Sequence, residues 1–419
     1  MILELKLKNF RSYREEVVFS MEAESSKQKM KNVFEVELPN ERLRILKSAL
    51  IYGANGSGKT HIIKAFFDII FNLLEMPKVG KPIHMYQPFL FDVESKTIPT
   101  DFELTFIGPE NIKYKYSIKV LGFVVLEEQL DYFPNGKITN LFSRRPYDEL
   151  KEVQIGVLGD SLGKKEISIF ANQLLLGKFG DNEPHELLTK VYRHLTRCYV
   201  MNALSNKHLQ DLRKSADEEL FTNPDLQVKL GKLLKAVDTK IESIKVFKRS
   251  SGETVATDSS SKEFYQSYGT HQIYDQNGIS TGQTHDLNLM YESKGSQTLY
   301  ALGTKILSII ENGGALIVDE MDTSLHPFIT KLIVMLFQSE KINKQNAQLI
   351  FTTHDVSLLD QNLIRRDQVW FAEKSDLGLS ELYSLQDFEQ LREDTPFEKW
   401  YMAGKFGALP NIENLESIF

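Results

Sequence analysis

Eight residues near the N-terminus have the types and spacing of a phosphate-binding loop. The segment GANGSGKT, residues 53–60, matches the pattern G-x-x-x-x-G-K-[ST]. In such a loop, backbone N–H groups turn toward phosphate oxygens and the start of the next helix adds positive potential. We expect Lys59 to contact the β- and γ-phosphates of a nucleotide and Thr60 to offer its hydroxyl to Mg²⁺. The residues expected to surround the phosphates are Gly53, Ala54, Asn55, Gly56, Ser57 and Gly58.

Two carboxylates follow the apolar run ALIV at residues 315–318. The run predicts a buried strand, which would deliver Asp319 to Mg²⁺ and hold Glu320 where it can orient or deprotonate a water. A core strand that ends in an acidic turn would be an equally good interpretation of this segment alone. The phosphate-binding loop upstream favours the catalytic interpretation.

Two further segments carry candidate phosphate contacts. His354 ends the apolar run LIFTT and could hydrogen-bond a γ-phosphate, although a lone histidine after a strand is more often structural. Ser293 and Gly295 precede a predicted helix, whose start could bind a second anion. Taken alone, a Ser-x-Gly loop is too common to carry information.

The elements around these residues predict an α/β core sheet and a second, antiparallel sheet. Residues 44–52 form an apolar strand that enters the loop, and residues 61–74 have helical apolar spacing. Alternating patterns predict strands at 2–10, 16–21, 102–107, 113–120 and 123–126. Towards the C-terminus, helices at 294–310 and 327–337 alternate with strands at 315–318 and 348–353. Such alternation is typical of α/β folds.

The chain divides by pattern into three segments. Residues 1–150 contain the loop and the antiparallel strands, and residues 290–419 contain the remaining motifs. Residues 151–289 are expected to be a mainly helical insertion, because helical spacing dominates 184–237. Within it, residues 252–283 are rich in Ser, Thr, Gly and Asp, and we expect this stretch to be mobile.

Composition excludes several classes of protein. With 419 residues, 42% hydrophobic and 26% charged, the chain is neither disordered nor collagen-like. A single cysteine, Cys198, excludes an intramolecular disulfide and a multi-cysteine zinc site. We find no membrane span or signal peptide and therefore expect a cytoplasmic protein. The net charge of -7 neither requires nor excludes nucleic acid.

Taken in order, the motifs resemble the Walker A, signature, Walker B, D-loop and switch-histidine series of ABC-type ATPase heads. The corresponding residues are 53–60, 293–297, 319–320, 322–326 and His354. The opening KLKNFRSY, the run DEMDTSLHP at 319–327 and the late YMAGKFGALP resemble the RecF/SMC-like branch. Within it, the sequence is most similar to AAA-family ATPases of bacterial anti-phage systems, such as the Septu ATPase PtuA, RloA-like proteins and the ATPase half of OLD nucleases.

The resemblance implies an ABC-type ATPase head with a mixed or parallel P-loop sheet, an antiparallel β-lobe and an inserted helical lobe. It also implies a head-to-tail dimer that encloses ATP and Mg²⁺, with Ser293 and Gly295 of one chain facing the γ-phosphate held by the other. Asp322 and Ser324 would belong to the D-loop. Arg11 falls where related heads place a basic residue near the nucleotide, and the Q-loop glutamine would be Gln87 or Gln129.

Three functions remain open on the sequence. The first is a slow ATPase that acts as sensor and regulatory scaffold of an anti-phage complex and controls a separate nuclease or toxin, with a nucleic acid or another phage-derived molecule as trigger. The second is a RecF-like DNA clamp in repair, and the third is a scaffold that binds ATP with little turnover. No nuclease activity is expected from this chain alone. We expect the pairs Arg144–Arg145 and Arg365–Arg366 to be solvated surface.

Overall fold

The computed structural model describes residues 1–145, 152–203, 205–237, 239–250, 263–389, 391–392 and 395–410. The chain forms two compact units. The first consists of Met1–Met201, Gly313–Glu320 and Val334–Phe419, and the second of Asn202–Asn312 and Met321–Ile333. The domain limits predicted at residues 150 and 290 stay predictions.

The described strands run in chain order as follows: β1 Ile2–Lys8, β2 Val17–Ser20, β3 Val33–Glu37, β4 Arg42–Leu46, β5 Ser48–Tyr52, β6 Thr100–Ile107, β7 Lys113–Leu121, β8 Val124–Tyr132, β9 Thr139–Arg144, β10 Val153–Leu158, β11 Glu166–Phe170, β12 Tyr199–Asn202, β13 Ser243–Ser250, β14 Glu263–Tyr274, β15 Ser280–Asn288, β16 Ala315–Asp319, β17 Gln348–Thr352, β18 Val369–Lys374 and β19 Ser380–Ser384. The helices are α1 Lys59–Leu74, α2 Leu175–Asp181, α3 Glu186–Leu195, α4 Asn206–Thr222, α5 Pro224–Ala236, α6 Lys294–Asn312, α7 Pro327–Gln338 and α8 Phe397–Met402.

An antiparallel sheet has the strand order β11-β10-β9-β8-β7-β6-β1-β2 among the described residues. Strand β7 alternates in burial, with Tyr114, Tyr116, Ile118 and Val120 facing the core. Its neighbours keep this register, since Ile118 lies opposite Phe102 on β6. Because one face is buried, a shift of one residue would turn every core side chain to solvent. The predicted antiparallel β-lobe is confirmed.

The core sheet has the order β12-β16-β17-β5-β18-β19 in the part of the chain that the structure describes. Strands β16, β17, β5 and β18 pair in parallel, and β19 runs antiparallel to β18. The carboxyl ends of β16, β17 and β5 therefore meet at one edge of the sheet. Residues that follow these strands are brought together there, and the α/β fold class is confirmed.

The stretch 44–52, which we predicted to be one strand, is two strands that belong to different sheets. The break falls at Lys47, where β4 ends its pairing with β3 and β5 enters the core sheet. The Lys47 side chain is buried, its Nζ lies 5.0 Å from the centre of the Phe34 ring, and it donates to Gln338 O. Both halves are apolar and extended, so the sequence pattern does not reveal a change of pairing partner.

Helix α1 packs against β16 and β17 of the core sheet. Its apolar residues Ile62, Phe66 and Ile69 are buried, as expected from their spacing. They join one hydrophobic core with the inner face of the antiparallel sheet, which contributes Leu5 and Phe19. This core fixes the start of α1, where the predicted phosphate-binding loop ends.

The second unit contains α4, α5 and α6 together with a sheet of order β13-β14-β15. Helices fill most of 184–237 as expected, but β10 and β11 show that the predicted insertion 151–289 is not helical throughout. Within the predicted mobile stretch 252–283, residues 263–274 belong to β14 and residues 280–283 belong to β15, which pairs with β14 in antiparallel register. Residues 252–262 of that stretch lie outside the described residues.

Two of the four arginines expected at the surface are buried. Arg144 donates to Gln154 Oε1 at 2.8 Å and lies 3.8 Å from the buried carboxylate of Glu128. Arg365 pairs with Asp367 at 2.6 Å. The expectation of solvated surface is wrong at both positions, because each guanidinium replaces its water with carbonyl and carboxylate acceptors. No helix within the described ranges combines the length and apolarity needed to cross a membrane.

Candidate active site

The phosphate-binding loop follows β5 and requires glycine at three positions. Gly53 has φ 151°, and a Cβ added there would lie 2.3 Å from Ala372 O. Gly58 has φ 114°, and its added Cβ would meet Ser380 Oγ at 2.7 Å. Gly56, with φ 76°, faces open space at the exposed tip beside Asn55. The first two glycines let neighbouring segments approach closely, and the third permits the turn.

The ammonium group of Lys59 lies inside the curve of this loop. Its Nζ donates to Gly53 O at 2.9 Å and to Ala54 O at 3.0 Å, and the side chain is almost fully buried. The hydroxyl of Ser57 is also buried and has no hydrogen-bond partner in the described structure. A buried cation and an unsatisfied hydroxyl in one loop suit phosphate oxygens, which would accept hydrogen bonds from both.

Polar side chains hold the loop from behind. Ser380 Oγ donates to Ser57 O at 2.6 Å and lies 2.7 Å from Ser12 Oγ, and Tyr13 OH donates to Gly58 O at 3.3 Å. Ser12 Oγ lies 2.7 Å from His61 Nδ1. Burial, with smaller contributions from Arg11 and Lys374, lowers the pKa of His61 to about 4, so this ring is neutral near pH 7. No role was predicted from the sequence for Ser12, Tyr13, His61 or Ser380. The one available signal was that Ser12 and Tyr13 belong to the KLKNFRSY run.

The acidic residue that ends β16 lies beside the loop. Asp319 Oδ1 accepts hydrogen bonds from Thr60 Oγ1 at 3.2 Å and from Thr352 Oγ1 at 2.7 Å. Burial raises the pKa of the Asp319 carboxyl above its ordinary value, while the two hydroxyls act in the opposite direction. Thr352 ends β17. It belongs to the run LIFTT that precedes His354, but no role was predicted for it from the sequence. The parallel register brings Thr60, Asp319 and Thr352 together.

The next residue, Glu320, has φ 59°, in the left-handed region that non-glycine residues rarely adopt. Its backbone N–H donates to Thr352 Oγ1 at 2.7 Å, which holds this turn. Its Oε1 lies 3.5 Å from His354 Nε2, and the hydrogen bond from this histidine lowers the pKa of Glu320. The carboxylate is thus kept ionised and partly exposed, as a group that accepts a proton from water must be.

Arg11 lies at the head of a chain of polar contacts. Its Nε donates to Gln87 Oε1 at 2.7 Å, and Gln87 Nε2 donates to Asp68 Oδ2 at 3.1 Å. Lys64 pairs with the same carboxylate. Of the two candidate Q-loop glutamines, Gln87 contacts Arg11, whereas Gln129 lies on β8 and donates to Asp131 at 2.7 Å.

The predicted signature segment lies in the second unit. Ser293 Oγ accepts from Ser296 N at 3.1 Å and so caps the start of α6. A Cβ added at Gly295 would lie 3.2 Å from Ser324 O, so the signature segment and the predicted D-loop are neighbours. The segment is braced by Glu292, whose Oε1 lies 2.6 Å from His271 Nε2. Ser293 itself is exposed.

The donor set of the loop fits Mg²⁺. Thr60 and Asp319 supply one hydroxyl and one carboxylate, and Mg²⁺ is commonly held by one or two such groups together with water and substrate phosphates. Among the described residues, no group of three or more His, Cys, Asp or Glu forms a protein-only metal site. If Mg²⁺ binds this chain, Thr60 and Asp319 would hold it and the nucleotide would complete its shell.

The family described as "AAA domain, putative AbiEii toxin, Type IV TA system" matches residues 48–360. The chain belongs to this AAA family. The match begins at β5 and extends past His354, so it includes every site residue predicted from the sequence except Arg11. No curated protein matches the chain.

Solved structures with similar folds include two SMC heads and a RecF. The SMC head bound to the C-winged helix domain of ScpA has a TM-score of 0.46 and 13% identity, over 91% of this chain and 97% of that one. The SMC head domain from Thermotoga maritima has a TM-score of 0.40 and 13% identity, over 91% and 98%. The recombination mediator RecF with ATP has a TM-score of 0.36 and 14% identity, over 91% and 97%.

Proposed function

We propose that this AAA-family protein binds and hydrolyses ATP as an ABC-type ATPase. The observation that carries the proposal is the cluster at the carboxyl edge of the core sheet. There Lys59 lies inside the phosphate-binding loop. Thr60 and Thr352 donate hydrogen bonds to Asp319, and Glu320 pairs with His354. A buried cation, a metal-binding pair and an ionised carboxylate are the groups that phosphoryl transfer to water requires.

Each residue then has a defined task. Lys59 binds the β- and γ-phosphates, and the backbone N–H groups of residues 53–60 bind their remaining oxygens. When Mg²⁺ is bound at Thr60 and Asp319, it neutralises charge on the phosphates. Glu320 accepts a proton from the attacking water, and His354 keeps Glu320 ionised and donates toward the γ-phosphate.

The site is completed by a second copy of the chain. In this arrangement Ser293 and Gly295 of one protomer face the γ-phosphate held by its partner. The exposure of Ser293 and of the aromatic residues Tyr291 and Phe328, which are 73% and 77% exposed, supports a surface that becomes covered. The resulting dimer closes with ATP and opens after hydrolysis.

The biological role we propose is that of sensor and regulatory scaffold in a cytoplasmic anti-phage complex. The family description names a toxin of a type IV toxin–antitoxin system, which supports a place in bacterial defence. The ATPase would control a separately encoded nuclease or toxin and respond to a nucleic acid or another phage-derived molecule. The alternative is a RecF-like DNA clamp that acts in repair without an effector.

Two measurements test this proposal. The purified chain should hydrolyse ATP in the presence of Mg²⁺, and the Glu320→Gln variant should bind ATP without comparable turnover. The tagged Glu320→Gln protein, recovered from its native host, should co-elute with a stoichiometric nuclease or toxin. Recovery with repair proteins and DNA would replace the defence role by the clamp, and absence of ATP binding would reject the ATPase itself.

A further inference from the structure

A cavity of about 220 Å³ in the first unit lies apart from the phosphate-binding loop. Arg365 and Arg366, which precede β18, form part of its wall. Strands β18 and β5 run parallel, with Val369 opposite Leu50. The loop follows the carboxyl end of β5, whereas the two arginines precede the amino end of β18, so the cavity and the loop lie at opposite edges of the core sheet. The proposed ATPase function therefore gives this cavity no role.

The wall of the cavity is mainly cationic. Among the described residues that line it, Lys29, Arg365, Arg366 and Arg392 carry positive charge and Glu24 carries negative charge. Cations gathered around one cavity repel one another, and an anion bound between them removes this cost. The charge of the wall therefore favours an anionic ligand.

Arg365 forms the fixed back of the cavity. Its side chain is buried and pairs with Asp367 at 2.6 Å. Its Nη1 donates to the carbonyl oxygens of Ser26 and Gln28, which lie in the segment between β2 and β3. These contacts join that segment to the start of β18, so the wall is in place before a ligand binds.

Two other arginines keep donors for a ligand. Arg366 donates from Nε and Nη2 to the Glu24 carboxylate at 2.9 and 2.6 Å, and its Nη1 has no acceptor in the part of the chain that the structure describes. Arg392 is exposed, and its guanidinium forms no hydrogen bond or ion pair within the described ranges. Because both residues line the cavity, their remaining N–H groups are available to one anion.

The size and lining of the cavity indicate which anion it suits. Pockets for drug-sized ligands measure roughly 300–1,000 Å³, so this smaller cavity suits a single anionic group and a small part of the molecule that bears it. A phosphomonoester offers three terminal oxygens and about −1.5 to −2 charges near pH 7, which matches donors from several cations better than a carboxylate does. Leu391 and Phe397 add an apolar wall, which suits the organic part of an ester.

We infer that this cavity binds a phosphomonoester group, with Arg366 and Arg392 donating to its oxygens and Arg365 holding the wall in position. Small sugar and nucleoside phosphates carry this group, and so does the 5′ end of a nucleic-acid strand. The inference goes beyond the proposed ATPase function and does not depend on it, because the cavity and the phosphate-binding loop share no residue.

Binding of defined phosphates to the full chain tests this inference. Ribose 5-phosphate and inorganic phosphate can be titrated by ³¹P NMR, with acetate as a competing carboxylate. A short oligothymidylate with and without a 5′-phosphate can be titrated by fluorescence anisotropy. The variants are Arg392→Ala and Arg366→Lys, and Lys59→Ala detects any binding in the phosphate-binding loop. Arg145→Ala is the matched control, because Arg145 is also an exposed arginine of the first unit.

We expect Arg392→Ala to weaken ribose 5-phosphate binding about tenfold, which is the order expected when a charge-assisted hydrogen bond is lost. Arg366→Lys should cause a smaller loss, because an ammonium group keeps the charge beside Glu24 but lacks the planar fork. Lys59→Ala and Arg145→Ala should bind like the natural protein. Inorganic phosphate should bind more weakly than the ester, since it makes no contact with the apolar wall.

The oligonucleotides identify the source of the group. A preference for the 5′-phosphorylated strand that Arg392→Ala abolishes would assign the cavity to a nucleic-acid end. Binding of ribose 5-phosphate without such a preference would assign it to a small phosphate.

Three results would overturn the inference. If Lys59→Ala loses ribose 5-phosphate while Arg392→Ala keeps it, the phosphate occupies the loop at residues 53–60 instead of the cavity. If acetate displaces ribose 5-phosphate as well as inorganic phosphate does, the cavity does not select phosphate. If neither ribose 5-phosphate nor the 5′-phosphorylated strand binds through its phosphate, the cavity is not a phosphomonoester site.

Discussion

The two segments that the sequence marks as phosphate-binding are held in different ways. The loop at residues 53–60 is anchored by buried hydroxyls, and the side chains of Ser57 and Lys59 are almost fully buried. The signature segment has an exposed Ser293, whose hydroxyl caps its own helix, and it follows the exposed Tyr291. One segment is organised before the nucleotide arrives, whereas the other presents its donors at the surface.

This difference in burial between the loop and the signature segment agrees with a site that is shared between two chains. A loop that binds phosphates in its own chain gains affinity when its donors are already ordered, because less conformational entropy is lost on binding. A segment that serves a partner must reach across an interface and therefore stays accessible until that interface forms.

The largest effect should come from Lys59→Ala. Removal of the ammonium group inside the loop curve should weaken ATP binding by at least about 100-fold, because charge-assisted hydrogen bonds to phosphate are lost. Calorimetric titration with ATP measures this change. The exposed Lys96→Ala is the control, and near-normal ATP affinity in Lys59→Ala would contradict the assignment of the loop.

Glu320→Gln should lower kcat by about 100- to 10,000-fold, which is the usual range for loss of a general base. ATP affinity should change little, because Thr60 and Asp319 remain, and the variant should accumulate as a closed dimer with ATP. Steady-state hydrolysis and size-exclusion chromatography measure the two effects. Unchanged turnover would remove Glu320 from its proposed role.

Ser293→Ala tests whether the exposed segment serves a partner. Alone it should lower hydrolysis by about tenfold or more, since a hydrogen bond to the transferred phosphate is lost. Mixed with Lys59→Ala, it should recover activity, because one site of the mixed dimer then combines an intact loop with an intact signature. If the two segments acted within one chain, no mixture would restore turnover, and the signature segment would not serve a partner.

Ser380→Ala should have a smaller effect on the organised loop. It removes hydrogen bonds to Ser57 O and Ser12 Oγ, each worth about 1 kcal/mol, so we expect a several-fold increase in KM with a modest change in kcat. Ser168→Ala, at an exposed position on β11, is the control. Kinetics identical to those of the natural protein would show that the loop keeps its shape without this anchor.

The smallest change should be a displacement of the pH profile in His354→Gln. His354 lowers the pKa of Glu320, so the natural carboxylate stays ionised to lower pH and activity is lost only as pH falls through this lowered pKa. Without His354 the pKa of Glu320 rises, and the acid limb of kcat should move to higher pH. An acid limb in the same place would show that another group limits activity in acid.

Much of the candidate site could be predicted because its residues lie in contiguous motifs. Gly53, Lys59 and Asp319 are identified by short patterns whose flanking strands and helix were also readable. Thr352, His61 and Ser380 were missed because their contacts join distant segments, and each residue type is common on ordinary strands and helices. The surface prediction failed for Arg144 and Arg365 for the same reason, since their acceptors lie on neighbouring strands and loops.

The phosphate-binding loop, the acidic pair at the end of β16 and the α/β alternation of elements could all be predicted from the sequence. Local periodicity and turn chemistry carry this information, because they depend on residues only a few positions apart. Tertiary structure was needed to show that residues 42–52 divide between two sheets at Lys47 and that Glu320 adopts a left-handed backbone held by Thr352. These features depend on which strands pair and in which register, and pairing is set by burial summed over the whole chain.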